Sequence, residues 1–156
     1  MVELADIIAP EGIVLDLRNC NSKRQVLKEL AHQAAAALAI DSQQLLDALM
    51  ERERLGTTGI GHGIAIPHAR LPGLNRLVGL FARLEQPVDF ESLDDQPSDL
   101  IFLLLAPDSA DADSLKALAR ISRLLRDPAL RQRLRQEGDR DAVYRLLTQK
   151  PECHAA

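Results

Sequence analysis

Residues 56–70 read GTTGIGHGIAIPHAR, and the rest of the chain is organised around them. Gly56, Gly59, Gly61 and Gly63 fall within eight positions. Glycine admits positive φ and close backbone approach, so the segment is expected to bend tightly and to offer backbone amides to an anion. The apolar run Ile64-Ala65-Ile66 then leads into Pro67 and His68. In a strand alternate side chains share a face, which puts His68 in line with Ile64 and Ile66. Proline has no N–H for a ladder, so the strand is expected to end, or to lie at an edge, near Pro67. A histidine is thus left at a strand end beside a loop suited to anions.

The residues alone leave two readings of His68 open, a structural histidine on an apolar line or a reactive one. The glycine spacing matches neither the phosphate loop, since no Lys-Ser/Thr follows it, nor the dinucleotide fingerprint, since a strand follows rather than a helix.

Upstream, Asp41 with Gln44 three places on opens a helix. Leu45, Leu49 and Arg52 fall on nearly one line of it at about 100° per residue, while Arg54 points to solvent. Arg52 therefore ends a core-facing stripe just before the glycine loop. Its position suits a cation complementing a helix C-terminus as well as it suits a phosphate contact. Further back, Ser22 and Gln25 make a capping box for a helix to about Leu38, with Val26, Leu30, Ala34 and Leu38 as its stripe. Ile13–Leu17 reads as a strand, after a short helical turn that ends near Pro10.

Downstream, 69–74 reads as a loop and Leu77–Leu84 as a buried strand. A turn is expected over Gln86–Asp89, anchored by Phe90, and a second over Asp94–Pro97. Leu100–Leu105 (LIFLLL) is the most apolar run, too short for a membrane and suited to a strand covered on both faces. Helices follow over 111–126, from Pro128 to about Gln136, and over Asp141–Gln149, with a frayed tail at 151–156. Leu118, Ile121 and Leu125 share a stripe in the first of these, and Ser114 falls on the same stripe, where it could be a cap or small filler.

The ordered run Arg52-Glu53-Arg54, then Gly56 through His68, resembles the phospho-acceptor signature of bacterial phosphotransferase-system IIA domains of the fructose/mannitol type, and most of all their nitrogen-regulatory branch. The similarity extends to Pro87-Val88-Asp89-Phe90 and Leu115-Lys116-Ala117-Leu118. It implies an α/β/α sandwich around a central mixed sheet, forming a single domain over residues 1–150. It also implies that His68 accepts a phosphoryl group from a phosphorylated HPr-like carrier. Arg52, Thr58 and the loop amides between Thr57 and Gly63 would then support the phosphate. The family usually places a second histidine where this chain has Ser114; a hydroxyl can donate one hydrogen bond but cannot change charge as histidine does. The implied role is a regulatory phosphocarrier rather than a metabolic enzyme, with targets such as potassium-transport regulators or sensor kinases in nitrogen and carbon control. The alternatives are a sugar-specific IIA component passing phosphate to a IIB domain, and a binding module of the same fold that is not phosphorylated.

Composition agrees with one globular domain of 156 residues, 46% hydrophobic and 27% charged. Aromatic residues make up only 3%, so the core must be aliphatic. A net charge of −4 argues against general nucleic-acid binding. No stretch approaches the ~18 apolar residues of a membrane span, and the N-terminus lacks a signal pattern. Cys20 and Cys153 lack metal-ligand spacing, with no structural disulfide expected. The expectation is a cytoplasmic protein needing neither metal nor cofactor.

Overall fold

The computed structural model describes residues 3–109 and 111–149. A 3-10 turn at Leu4–Asp6 precedes β1 (Ile8–Leu17), α1 (Lys23–Leu38), α2 (Ser42–Arg54), β2 (Gly59–Gly61), β3 (Ile64–Ala65), β4 (His68–Leu71), β5 (Val78–Val88), β6 (Ser98–Pro107), α3 (Asp111–Leu125), α4 (Pro128–Gln136) and α5 (Arg140–Thr148). Residues 151–156, including Cys153, lie outside the described residues. Among the described residues no helix is long and apolar enough to cross a membrane.

The helices begin where the caps place them. Ser22 accepts from the Gln25 amide, Asp41 from the Gln43 and Gln44 amides, and Asp127 from the Ala129 amide one residue past Pro128. Each cap satisfies amides that have no partner within the helix.

The sheet is mixed, in the order β1-β5-β6-β3-β2, with β4 also paired to β6. Helices cover both faces, as expected. The expected burial of LIFLLL appears as a strict alternation. Ile101, Leu103 and Leu105 pack with α1 and α2, whereas Leu100, Phe102 and Leu104 pack with Ile121, Leu134 and Val143 of α3–α5. A strand buried on both sides needs such a continuous apolar run.

Three local expectations change. Strand β1 starts at Ile8 and carries Pro10, because β1 pairs only with β5 and an edge strand tolerates a missing N–H; a register shift between Ile8 and Ile13 absorbs the irregularity. The loop expected over 69–74 begins only at Pro72: β4 runs parallel to β6 from His68↔Leu104 to Leu71↔Pro107. Strand β5 runs through Pro87 to Val88 across another register shift, and Phe90, fully buried, anchors the turn just beyond.

Strands β3 and β4 are one extended line broken at Ile66–Pro67. Ile64 faces Leu100 and His68 faces Leu104, a constant offset of 36 positions (100 − 64 and 104 − 68). The Pro67 carbonyl still accepts from the Leu104 amide at 2.9 Å. Only the donor that proline lacks interrupts the ladder.

Candidate functional site

Alternation along this broken strand decides where His68 points. Ile64, Ile66 and Leu104 belong to the core under α3–α5, whereas Ala69 belongs to the core under α1 and α2. His68 shares the first face and is half-buried at the sheet edge.

Backbone geometry then fixes the ring. The Ile66 amide donates to the Thr58 carbonyl at 3.0 Å, so Ile66 turns away from β6 and its carbonyl is free of the ladder on that side. His68 Nδ1 lies 2.8 Å from that carbonyl oxygen. A carbonyl only accepts, so Nδ1 carries the proton and Nε2 carries the lone pair. Arg52 Nε donates to Nε2 at 3.1 Å, and Arg52 Nη1 donates to the Gly56 carbonyl at 3.0 Å. The helical stripe that ends in Arg52 thus delivers a guanidinium to the nitrogen that carries the lone pair. Arg54 is exposed and pairs with Glu51.

Burial is the main cause that lowers the His68 pKa below its ordinary value. The Arg52 and Arg70 charges lower it further, while the bond to Ile66 and the Glu53 charge oppose them. The ring is therefore neutral at pH 7, with an available electron pair.

Over His68 opens a cleft of about 470 Å³ with Arg52 and Leu55 on one wall and Ser114, Leu115 and Leu118 of α3 on the other. Arg70 also lines it and is exposed. Ser114 is 8% exposed, so the stripe that placed it beside Leu118 brings it to the same cleft as His68. Leu55 and Leu115 are 83% and 66% exposed and leave the mouth apolar. A larger cavity, about 560 Å³, lies between the β1–α1 connection and α1–α2, among Cys20, Lys28 and His32. It shares no lining residue with the His68 cleft, where the charge and the lone pair converge.

The glycine loop is not an open cradle of amides. Gly59–Gly61 form β2, and His62 and Gly63, with φ of 59° and 80°, make the two-residue turn into β3, the pattern of a tight hairpin. The amides of Thr58, Gly59 and His62 are already given to Glu53, to the Thr57 hydroxyl and to Asp94. The Thr58 amide is buried, where a donor must be satisfied within the protein. Arg135 of α4 closes the turn from outside, with a bidentate pair to Asp99 and a 2.9 Å bond to the His62 carbonyl. His62 itself is exposed.

Thr58 is 4% exposed and its hydroxyl donates to the Glu53 carboxylate, which ties the loop to α2. Glu53 was not singled out from the sequence as a site residue. Its signal was nevertheless present, because it follows Leu49 by four and Leu46 by seven, on the buried stripe of α2. Lys23, its partner from the start of α1 at 3.0 Å, carried no such signal.

The family "Phosphoenolpyruvate-dependent sugar phosphotransferase system, EIIA 2" matches residues 6–150. A nitrogen regulatory protein of Bradyrhizobium diazoefficiens is 51% identical over 148 residues, 95% of this chain and 96% of that protein. The crystal structure of the nitrogen regulatory protein IIA-Ntr from Neisseria meningitidis superposes with a TM-score of 0.88 at 31% identity, covering 93% of this chain and 99% of that one. The mannitol IIA enzyme of Escherichia coli, solved in complex with its phosphorylated IIB enzyme, shares the fold at a TM-score of 0.76 and 20% identity, over 92% of this chain and all of that one.

Proposed function

The chain belongs to the EIIA type-2 family of the phosphoenolpyruvate-dependent sugar phosphotransferase system, and from that premise we propose that it is a regulatory phosphocarrier with His68 as acceptor. One observation carries the reading: the Nδ1 proton is held on the Ile66 carbonyl while Nε2 keeps its lone pair beside Arg52 in an open cleft. Phosphoryl transfer asks the protein for positioning and charge stabilisation and little else.

The incoming donor is a phosphohistidine on an HPr-like carrier. As it enters, Arg52 Nε–H transfers its hydrogen bond from Nε2 to a phosphoryl oxygen. The freed lone pair forms the new N–P bond while the donor's N–P bond breaks, its electron pair returning to the donor ring. No proton leaves Nε2, because none was there. The ring becomes a phospho-imidazolium, with its Nδ1–H still on the Ile66 carbonyl and its charge offset by the phosphoryl oxygens. Ser114, from α3, offers a hydroxyl to those oxygens. Thr58 supports from behind by seating the loop on Glu53.

Phosphorylation replaces a neutral ring with a phosphoryl dianion on an imidazolium, a net gain of one negative charge at the mouth of an apolar cleft. That change of charge is what a partner would read. High identity to a nitrogen regulatory protein favours regulated partners such as potassium-transport regulators or sensor kinases in the cytoplasm, served by one domain over residues 1–150. The decisive experiment uses the purified phosphorylated carrier with wild type and His68→Ala. An acid-labile label on the wild type, lost in His68→Ala, supports the acceptor. No label from a demonstrably active donor, or equal label on both, overturns it. The family also serves sugar uptake, and passage of the label onward to the cysteine of a fructose or mannitol IIB domain would favour that role instead.

A further inference from the structure

We infer that Glu53 is a positioning residue whose carboxylate, with Lys23 of α1 as its fixed counter-charge, sets the tautomer of His68, while its main-chain carbonyl helps to seat Arg52. The inference deepens the phosphocarrier reading and rests on it for its kinetic consequence, though not for its structural one.

Two hydrogen-bond paths leave Glu53 and meet again at the imidazole. On the first, the carboxylate accepts from the Thr58 hydroxyl and, at 3.3 Å, from the Thr58 amide. This holds the Thr58 carbonyl where it accepts from the Ile66 amide at 3.0 Å, and so aims the Ile66 carbonyl at His68 Nδ1, 2.8 Å away. On the second path, the Glu53 carbonyl accepts from the Gly56 amide at 3.2 Å, and the Gly56 carbonyl accepts from Arg52 Nη1 at 3.0 Å. That bond seats the guanidinium whose Nε meets His68 Nε2. One residue thereby holds the donor side of the ring and the acceptor side in register.

On the first path the carboxylate can do this only if it stays put. Its side chain is 4% exposed, and Lys23, whose side chain is 14% exposed, places Nζ 3.0 Å from it and 3.4 Å from Glu91. Removing one partner of a buried pair leaves the other uncompensated, so Lys23 and Glu53 act as a unit. The Glu53 field also reaches His68 directly. It opposes the lowering by Arg52 and Arg70, and without it only the bond to Ile66 still opposes those two charges.

The test compares Glu53→Gln, Lys23→Met, Thr58→Val and Thr58→Ser in the full chain. Imidazole ¹⁵N shifts read the tautomer, an NMR pH titration reads the His68 midpoint, and single-turnover transfer reads the rate. Expected for Glu53→Gln are a mixture of Nδ1–H and Nε2–H tautomers and a His68 midpoint below that of wild type. Its maximal transfer rate should fall on the order of tenfold, below the ~10²-fold that an ångström of misplacement can cost, with the half-saturating donor concentration unchanged. Thr58→Val should shift the tautomer likewise and Thr58→Ser should restore it. Should Glu53→Gln fail to fold, the Thr58 pair and Lys23→Met decide by the same readouts. Folded variants that keep the wild-type tautomer, midpoint and rate overturn the inference. A wild type that takes no phosphate, while the tautomer still follows Glu53 and Thr58, leaves the relay standing and removes the phosphocarrier reading alone.

Discussion

Replacing Arg52 by alanine removes the guanidinium bonded to the lone pair of His68, and its cost can be worked from the site. Nε stands 3.1 Å from Nε2, so an oxygen of a phosphoryl group bound there falls roughly 4 Å from the guanidinium charge. At an effective dielectric near ~20, two unit charges at that distance interact by about 4 kcal/mol. Half-exposure of the pair and the spread of charge over three oxygens reduce the differential gain in the transition state to about 3 kcal/mol, or about 10²-fold in rate. Arg52→Lys keeps the charge but loses the fork that bonds Gly56 and the ring together, and should fall about tenfold. A second signature has the opposite origin. The Arg52 charge helps to lower the His68 pKa, so Arg52→Ala raises it, and the acid limb of the pH–rate profile moves to higher pH. Single-turnover transfer of label from the phosphorylated carrier, measured across pH, reads both effects. Arg52→Ala within threefold of wild type, with its acid limb in place, would refute the reasoning.

In the wild type, burial holds the His68 pKa below the ordinary value near 6.5. Transfer should persist as pH falls through that value and fail only below it; an acid limb above 6.5 would contradict the buried, Arg52-facing ring. Ser114→Ala should slow transfer only a few-fold, the worth of one neutral hydrogen bond, with the His68 titration unchanged. Arg83, 8% exposed, donates to the carbonyls of Leu134 and Glu137 at the end of α4 and to Asp16; Arg83→Met should cost about 2–4 kcal/mol in urea unfolding through two orphaned carbonyls, and Asp16→Asn, at a 58% exposed partner, under ~1 kcal/mol. Gly63 and Gly73 both have positive φ, but a Cβ at Gly63 would meet Arg135 Nη2 at 2.3 Å and Asp99 Oδ1 at 2.9 Å, whereas at Gly73 it meets nothing within 4 Å. Gly73→Ala should cost about 1 kcal/mol of backbone strain, and Gly63→Ala measurably more in the same thermal or urea assay.

What could be read along the chain were features whose physics is local. Ser22, Asp41 and Asp127 start helices because each caps amides within three residues of itself. LIFLLL declares burial on both faces because alternate side chains must each meet a core. The stripe through Leu45, Leu49 and Arg52 places Arg52, and not Arg54, beside His68, and the stripe through Leu118 and Ile121 places Ser114 in the same cleft. The errors came where a local signal was outvoted. Ala69–Leu71 precedes Pro72-Gly73 and looks like a loop, yet β6 offers it a parallel edge. Pro10 looks like a stop, yet β1 has one neighbour and does not need that N–H. The glycine-rich loop looks like an anion cradle, yet the amides of Thr58, Gly59 and His62 are taken by the side chains of Glu53, Thr57 and Asp94.

Local patterns along the chain were thus enough for a mixed sheet between two helical layers, a histidine at a strand break and an arginine at the helix end before it. Which nitrogen of that histidine holds the lone pair, and that Arg52 meets it, came from the folded packing, because the choice rests on where the Ile66 carbonyl points. That direction depends on the Thr58 carbonyl, on a Glu53 carboxylate and on Lys23, 45 positions before His68 (68 − 23). Helix stripes and strand alternation are repeated by every residue they contain and survive being read one residue at a time. A tautomer is set by a single hydrogen bond, and its partner is chosen by the packing of the whole edge.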